Sequence, residues 1–230
     1  MKPFTVNIPI YNEEAILAAN ARTLINFLDG LKTEYEIIIV SNGSNDRSNE
    51  IGLSLQKEFP RLHYFSLPQK GVGLAFKKAV AEAKYDHLIS LDIDLSVNFS
   101  FVKTANLLLD EYCLVIGSKI TGSQNRSMIR TFGSSLFIYL TKLLLGVSCH
   151  DFSIGAKGFS KSFVQKNMDR IDNYTVYVLN LIYLAHRSGQ KIVEIPINCQ
   201  DFRRSKFNLF QEALYKFIML FKITAKSWFE

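Results

Sequence analysis

The segment His87-Leu-Ile-Ser-Leu-Asp-Ile-Asp-Leu-Ser96 joins a short apolar run to two closely spaced acids. Residues 87–91 are typical of a buried strand in a parallel sheet, and Asp92 and Asp94 follow where such a strand ends. Because side chains two positions apart in an extended segment point to the same side, we expect both carboxylates to bind one divalent cation. Water and phosphate oxygens would complete its ligands. Solvated turns also contain Asp-x-Asp pairs, so the rest of the chain decides between the two interpretations.

Strand and helix patterns alternate on both sides of this segment. Strands are predicted at residues 4–10, 35–40, 62–67, 87–91, 114–117 and 191–197. A polar loop and a helical pattern follow each of the first three. This alternation predicts an α/β fold with a doubly wound, mostly parallel sheet, in which ligands bind beyond the carboxyl ends of the strands.

The bulk composition limits the class of protein. Of the 230 residues, 48% are hydrophobic, which is enough for one large core and excludes a disordered chain. The net charge of +6 favours an anionic partner: a phosphorylated substrate, a nucleic acid or an acidic membrane surface. Cys113, Cys149 and Cys199 are odd in number and far apart, which argues against a disulfide framework or a zinc site. We therefore expect core thiols in a reducing compartment.

The sequence also predicts where the protein resides. The N-terminus lacks the pattern of a signal peptide, and no run of about 18 to 20 apolar residues occurs. We therefore expect a cytoplasmic protein that is peripheral on the cytoplasmic face of a membrane. Residues 119–147 and 207–230 are the reason for expecting contact with a membrane surface.

The first segment, residues 119–147, is basic and apolar. No acid occurs from residue 117 to residue 150, and the apolar run 136–145 lies within this range. The basic residues of the segment are Lys119, Arg126, Arg130 and Lys142. This composition is typical of a helix that lies in the lipid headgroup layer and also of a helix buried in the core. Both alternatives stay open.

The second segment, residues 207–230, is predicted to be an amphipathic C-terminal helix. Its apolar side consists of Phe207, Phe210, Leu214, Phe217, Phe221 and Trp228. Such a stripe packs on its own domain or lies at a membrane interface, and the basic segment 119–147 favours the interface. The predicted organisation is therefore one domain, residues 1–206, followed by this helix.

The turn Lys70-Gly-Val-Gly73 opens a predicted helix. Its backbone N–H groups and the helix dipole are suited to an anion, with Lys70 adding positive charge. An ordinary helix start with glycines for close packing explains the same residues equally well. The spacing differs from a dinucleotide-binding fingerprint and from a P-loop, which disfavours NAD or ATP sites of those types.

Short motifs occur in a fixed order along nearly the whole chain. They are residues 8–14 (IPIYNEE), 36–46 (EIIIVSNGSND), 70–73 (KGVG), 92–95 (DIDL), 116–119 (IGSK), 144–146 (LLG), 151–157 (DFSIGAK), 192–196 (IVEIP) and 205–206 (SK). Together they resemble family 2 glycosyltransferases, and more narrowly the dolichyl- or polyprenyl-phosphate sugar transferase branch, which is dolichyl-phosphate mannosyltransferase-like. The resemblance implies a GT-A fold, a nucleotide-sugar donor, and Mg²⁺ or Mn²⁺.

The resemblance also implies roles for individual residues. The donor nucleotide would contact Pro9, Tyr11, Glu13, Asn42, Asp46, Lys70 and Gly71. Asp92 and Asp94 would hold the metal on the diphosphate, where it neutralises the leaving group. The catalytic set would be Asp94, Asp151, Arg130 and Lys119, with the two basic residues at the acceptor phosphate. Acceptor binding would add Arg126 and the late pair Ser205 and Lys206.

This chain departs from the family pattern at several positions. Ser41 and Asn42 stand where two aspartates are usual, which leaves the nucleotide open. Ser96 stands where the mannosyl branch often has Gln. Val178 and Asn180 replace a common Asp and Glu. The metal pair is retained, so we expect activity.

Three functional hypotheses follow from these residues. The first is transfer of a hexose from a GDP- or UDP-linked donor to a polyprenyl phosphate, with inversion. This acceptor is already ionised near neutral pH, so it needs a cationic seat rather than a base. The second is transfer to a glycan hydroxyl, with Asp151 as the base. The third is a degenerate sugar-nucleotide-binding protein. Nucleic acid is not an expected partner, because no recognised binding module occurs.

Overall fold

The computed structural model describes the backbone of residues 1–118, 128–198 and 209–227, and the side chains within these ranges apart from those of 128–132, 209 and 227. The strands are β1 (Phe4–Ile10), β2 (Tyr35–Asn42), β3 (Leu62–Leu67), β4 (His87–Ser90), β5 (Leu114–Ser118), β6 (Lys157–Ser160) and β7 (Ile192–Pro196). The helices are α1 (Leu17–Asp29), α2 (Ser48–Glu58), α3 (Val72–Glu82), α4 (Ser100–Leu108), α5 (Met128–Leu145), α6 (Lys161–Lys166), α7 (Tyr177–Arg187) and α8 (Leu209–Ser227), with a 3₁₀ turn at Met168–Arg170.

The strands form one sheet in the order β3-β2-β1-β4-β6-β5-β7. Its pairings are parallel except at β6, which runs antiparallel to both of its neighbours. The predicted mostly parallel α/β sheet is therefore confirmed. Strand β6 gives no strand signal in the sequence, because it has only four residues and includes Gly158 and a lysine, Lys157, that is 1% exposed.

Two apolar layers cover the two faces of the sheet. Phe4, Val6 and Ile8 of β1 belong to the layer that also contains side chains of α1 and α4. Val40 of β2 and Leu88 of β4 belong to the other layer, which includes side chains of α3 and α7. The central strands are buried on both faces, and polar side chains within them form hydrogen bonds: Thr5 Oγ1 donates to Glu36 Oε1, and Asn7 Nδ2 donates to Ser90 Oγ.

Helices α5 and α8 pack against each other at the outside of the second layer. The Phe137 ring makes edge-to-face contacts with Phe217 at 5.5 Å and with Phe152 at 5.8 Å between ring centroids. Leu220 is fully buried, so the side of α8 that meets the domain is centred on this residue. No helix within the described ranges combines the length and apolar content that crossing a membrane requires.

The observed packing of α8 differs from the expected single stripe. Phe217, at one margin of the stripe, contacts the domain, whereas Phe210, Leu214 and Phe221 are exposed. Periodicity predicts which residues share a side of a helix, but the neighbouring elements determine which part of that side is covered. The predicted boundary at residues 206 and 207 lies outside the described residues.

Candidate active site

The loops after β1 and β2 are joined to each other by hydrogen bonds. Asn12 N donates to Ser44 Oγ at 3.0 Å, and Glu14 N donates to Asp46 Oδ2 at 3.1 Å. Asn12 adopts a φ of +54°, a left-handed conformation that Asn tolerates better than most residues. The fold thus brings together residues 11–14 and 43–46, which include Tyr11, Glu13 and Asp46, three of the residues predicted to contact the donor nucleotide.

Asp46 holds this pair of loops through both carboxylate oxygens. Its Oδ1 accepts from Ser48 N at 3.0 Å, while its Oδ2 accepts from Glu14 N. Burial opposes ionisation of Asp46, but the hydrogen bonds from Ser48 and Glu14 together outweigh it and lower the pKa of the carboxyl. The carboxylate is therefore negatively charged at neutral pH and fixes the loop geometry.

Asn42 connects the end of β1 to the start of α3. Its Nδ2 donates to Ile10 O at 2.7 Å, and its Oδ1 accepts from Gly71 N at 3.3 Å. An ionised aspartate has no donor for the Ile10 carbonyl, so the amide suits both contacts. The departure at this position therefore serves to join two loops. Gly71 N is already bonded within the protein, which favours the ordinary helix start for the 70–73 turn.

Lys70 and Tyr11 are brought together at the same edge. The Lys70 Nζ lies 4.2 Å from the centroid of the Tyr11 ring, and Lys70 is exposed. Gly73 allows the following helix to approach residues 172–174, because a Cβ at this glycine would lie 2.2 Å from Asp172 O. The glycine at 73 is thus required by packing.

Asp92 and Asp94 lie in a tight turn rather than in the extended segment that we expected. Asp92 O accepts from Leu95 N at 3.2 Å, and Leu95 has a φ of +54°. Ile93, only 2% exposed, anchors the turn in the core between the two acids. Its carbonyl oxygen accepts from Asn20 Nδ2 of α1 at 2.8 Å. The buried isoleucine leaves the flanking Asp92 and Asp94 side chains accessible to solvent.

This turn fits the predicted divalent cation. Carboxylate oxygens are hard ligands that suit Mg²⁺ and Mn²⁺, and these ions keep several water or phosphate ligands. Within the described ranges no group of three or more His, Cys, Asp and Glu side chains is arranged to hold a metal. Two carboxylates fill only part of the coordination shell of such an ion, so a site made by Asp92 and Asp94 would leave positions for a diphosphate.

The loop from Asp151 to Gly155 reaches the same turn. Asp151 is buried, and its Oδ1 accepts from Ser153 N at 2.9 Å, Ser153 Oγ at 3.1 Å and Ile154 N at 3.1 Å. At the far end of the loop, a Cβ on Gly155 would lie 2.3 Å from Cγ and both oxygens of Asp92. The Asp92 carboxylate therefore rests on the backbone of this loop. The catalytic role of Asp151 stays a prediction.

Sequence reasoning missed several residues that contact the site. Asn20 supports the turn, and Gly155 contacts Asp92; no local pattern reveals either contact. Tyr177, the first residue of α7, is buried with its ring 4.7 Å from that of Phe76. Burial, followed by the negative charge of Asp92, raises the pKa of the Tyr177 hydroxyl. Tyr177 therefore lies near Asp92 as a neutral side chain.

The departures in α7 occupy structural positions. Val178 lies in the apolar core, and Asn180 Oδ1 accepts from Asp172 N at 2.8 Å. Lys119, Arg126, Ser205 and Lys206 lie outside the described residues. Arg130 belongs to α5, but its side chain is outside the described part of the chain.

Residues 5–167 match the description glycosyl transferase family 2. The chain belongs to this family. Among curated relatives of this family 2 chain, glycosyltransferase AglD of Haloferax volcanii is 25% identical over 91% of the chain and 35% of its own length. Dolichyl-phosphate beta-glucosyltransferase ALG5A of Trichomonas vaginalis is 25% identical over 88% of the chain and 67% of its own length. An undecaprenyl-phosphate 4-deoxy-4-formamido-L-arabinose transferase of Photorhabdus laumondii is 27% identical over 86% of the chain and 60% of its own length.

Solved structures agree with the fold. Glucosyl-3-phosphoglycerate synthase from Mycobacterium tuberculosis, in complex with UDP, superposes with a TM-score of 0.70 at 18% identity, covering 95% of this chain and 80% of that chain. Its complex with Mn²⁺ and UDP-glucose gives 0.71 at 17% identity, covering 97% and 79%. The GT-A fold predicted for this family 2 chain is confirmed.

Proposed function

We propose that this family 2 chain is a glycosyltransferase that moves a hexose from a nucleotide sugar to a polyprenyl phosphate at the cytoplasmic face of a membrane, with Mg²⁺ or Mn²⁺ and with inversion. The observation that carries the proposal is the accessible Asp92 and Asp94 pair beside the joined loops of β1 and β2. These elements lie at the carboxyl ends of parallel strands, where α/β folds bind their ligands.

Asp92 and Asp94 would hold the cation that neutralises charge on the leaving diphosphate. The joined loops would hold the nucleoside at a fixed distance from this pair. Such positioning favours in-line attack on the anomeric carbon, because the reacting atoms are already close and oriented. Inversion follows from a single displacement of this kind.

A phosphate acceptor agrees with the hydrogen bonding of Asp151. A hydroxyl acceptor requires a general base near the reacting carbon, whereas a phosphate is ionised without one. Asp151 Oδ1 accepts from Ser153 N, Ser153 Oγ and Ile154 N, so this oxygen is engaged in shaping its own loop. The relatives named for dolichyl phosphate and undecaprenyl phosphate support the same class of acceptor.

The outer sides of α5 and α8 support a membrane surface as partner. Their exposed large apolar side chains are Leu136, Tyr139, Leu143, Phe210, Leu214, Ile218 and Phe221. Exposed lysines of the same helices are Lys142, Lys222 and Lys226. Apolar surface of this extent, accompanied by positive charge, favours insertion among anionic headgroups.

The acceptor is tested with purified protein, radiolabelled UDP- and GDP-hexoses, Mn²⁺ and undecaprenyl phosphate in detergent. We expect a lipid-extractable labelled product that disappears in D92N and D94N. Asp110, an exposed acid that follows α4 and pairs with Lys2, provides the matched control D110N, which should keep full activity. The proposal is overturned when no donor gives a lipid-linked product while a free glycan is labelled. In that case D151N should abolish turnover and leave donor binding intact.

The membrane surface is tested by sedimentation with vesicles of 30% anionic lipid. We expect L214E to reduce the bound fraction several-fold, because it places a charge in the apolar surface. The matched control is L53E, since Leu53 of α2 is 51% exposed and Leu214 is 52% exposed. Equal binding of both variants and the unmodified chain would exclude this surface.

A further inference from the structure

Glu194, in the middle of β7, contacts the start of the loop that leads to Asp92. Its Oε1 accepts from His150 N and Asp151 N, both at 3.0 Å. Its Oε2 lies 3.2 Å from His150 N and 2.8 Å from His150 Nδ1. Hydrogen bonds from backbone N–H groups to a carboxylate are stronger than those to a neutral acceptor. Glu194 thereby fixes the backbone at residues 150 and 151.

The rest of the loop is fixed by Asp151 itself. Its three contacts to Ser153 and Ile154 close a compact turn directly after the Glu194 contact. Ile154 is 3% exposed and belongs to the core, so the turn is also anchored by burial. Little freedom therefore remains for Gly155, the next residue.

Gly155 in turn limits the position of Asp92. The Cα of Gly155 faces the Asp92 carboxylate closely. A Cβ added to Gly155 would lie 2.3 Å from the Asp92 Cγ and from both carboxylate oxygens. A shift of the loop by a few tenths of an ångström toward Asp92 would therefore displace this carboxylate. A shift away would leave the carboxylate without its support.

We propose that Glu194 is a positioning residue for the cation site: through residues 150–155 it sets where the Asp92 carboxylate lies. The inference rests on the metal part of the proposed function. Glu194 does not touch the cation in this proposal. Its role is to hold the loop on which a metal ligand rests, much as partners outside the ligand shell orient the ligands of other metal sites.

Substitution by glutamine keeps the size of Glu194 and removes its charge. One of the two acceptor oxygens becomes an NH₂ group, which faces donors of His150 or Asp151 and cannot accept from them. We therefore expect the loop to loosen in E194Q. Because this change is remote from the ligands, the expected effect is about a tenfold weaker cation affinity, at the low end for residues that support a metal site.

The matched control is Glu36 of β2. Like Glu194, it is a carboxylate on a strand that accepts a backbone N–H, from Lys84 at 2.6 Å, and it also accepts from Thr5 Oγ1 at 2.7 Å. Its contacts are to residues 5, 63 and 84, not to the 150–155 loop. E36Q should therefore lose stability as E194Q does and keep the cation affinity of the unmodified chain.

The full chain is titrated with Mn²⁺ alone, and electron paramagnetic resonance measures the Mn²⁺ that stays free. Thermal melting shows whether each variant is folded. We expect Mn²⁺ binding that D92N abolishes, about tenfold weaker binding in E194Q, and unchanged binding in E36Q. G155A perturbs the other end of the loop without removing a charge, and it should also weaken binding.

The outcomes separate the two proposals. If Mn²⁺ binds and D92N abolishes binding, but E194Q and G155A bind as the unmodified chain does, the positioning role is overturned and the proposed function stands. Equal weakening in E36Q and E194Q also overturns it, because a general loss of stability would then explain the effect. If no Mn²⁺ binding depends on Asp92, the metal part of the proposed function fails and the positioning role fails with it.

Discussion

Replacing Gly155 by alanine tests the dependence of turnover on the position of the Asp92 carboxylate. The new Cβ would lie 2.3 Å from Asp92 Cγ and both of its oxygens, whereas ordinary contacts begin near 3.4 Å. The carboxylate must therefore retreat by about 1 Å. A misplacement of this size costs about 100-fold in rate when it affects a group that positions the reacting atoms.

The same substitution should leave the fold almost unchanged. Gly155 has no positive φ that would strain an alanine, and the overlapping atoms are the end of a flexible side chain. The cost of moving the Asp92 side chain from its rotamer is about 1 kcal/mol. We therefore expect a melting temperature within a few degrees of the unmodified chain, together with about 100-fold lower kcat/KM for hexose transfer at saturating Mn²⁺.

The matched control for this experiment is Gly133 of α5. A Cβ at this glycine would meet nothing within 4 Å, so G133A should keep its activity. A gain in stability of up to about 1 kcal/mol is expected, because alanine favours a helix over glycine. Normal kcat/KM in a well-folded G155A protein would show that turnover tolerates movement of Asp92, and the reasoning about this turn would be wrong.

Three further predictions concern the turn, the thiols and the loop acid. The N20A substitution removes the hydrogen bond from Asn20 to Ile93 O, and it should lower the free energy of unfolding, measured with urea, by about 1 kcal/mol. It should also raise the Mn²⁺ concentration that is needed for half-maximal activity. Burial raises the pKa of the Cys113 thiol to about 11. Burial and the negative charge of Glu194 raise the pKa of the Cys149 thiol to about 12. Neither thiol should therefore react with Ellman's reagent at pH 8 before the protein unfolds. The lowered pKa of Asp46 means that its contribution to stability is present above the ordinary aspartate pKa of about 4 and is lost as the pH falls through the folded value. The melting temperature of D46N should therefore depend less steeply on pH between 5 and 3 than that of the unmodified chain.

The sequence by itself determined six of the seven strands and the position of Asp92 and Asp94 directly after β4. The bounds predicted for β1 and β3 agree with the structure, and β4 ends one residue before the predicted position. These features depend on local patterns: runs of apolar residues, polar loops, and acids placed directly after a strand. Asp92 and Asp94 could be predicted to lie close together because both follow the same strand.

Only the tertiary structure decided what supports that site. The antiparallel strand β6 lies between β4 and β5 because the fold brings 157–160 there, and its four residues carry no periodic signal. The contact from Glu194 to Asp151 joins residues 43 positions apart, and Gly155 meets Asp92 across an even longer stretch of chain. Periodicity in a sequence reports which residues share a face of one element. Which faces meet, and how closely, depends on packing among elements that are distant in the chain.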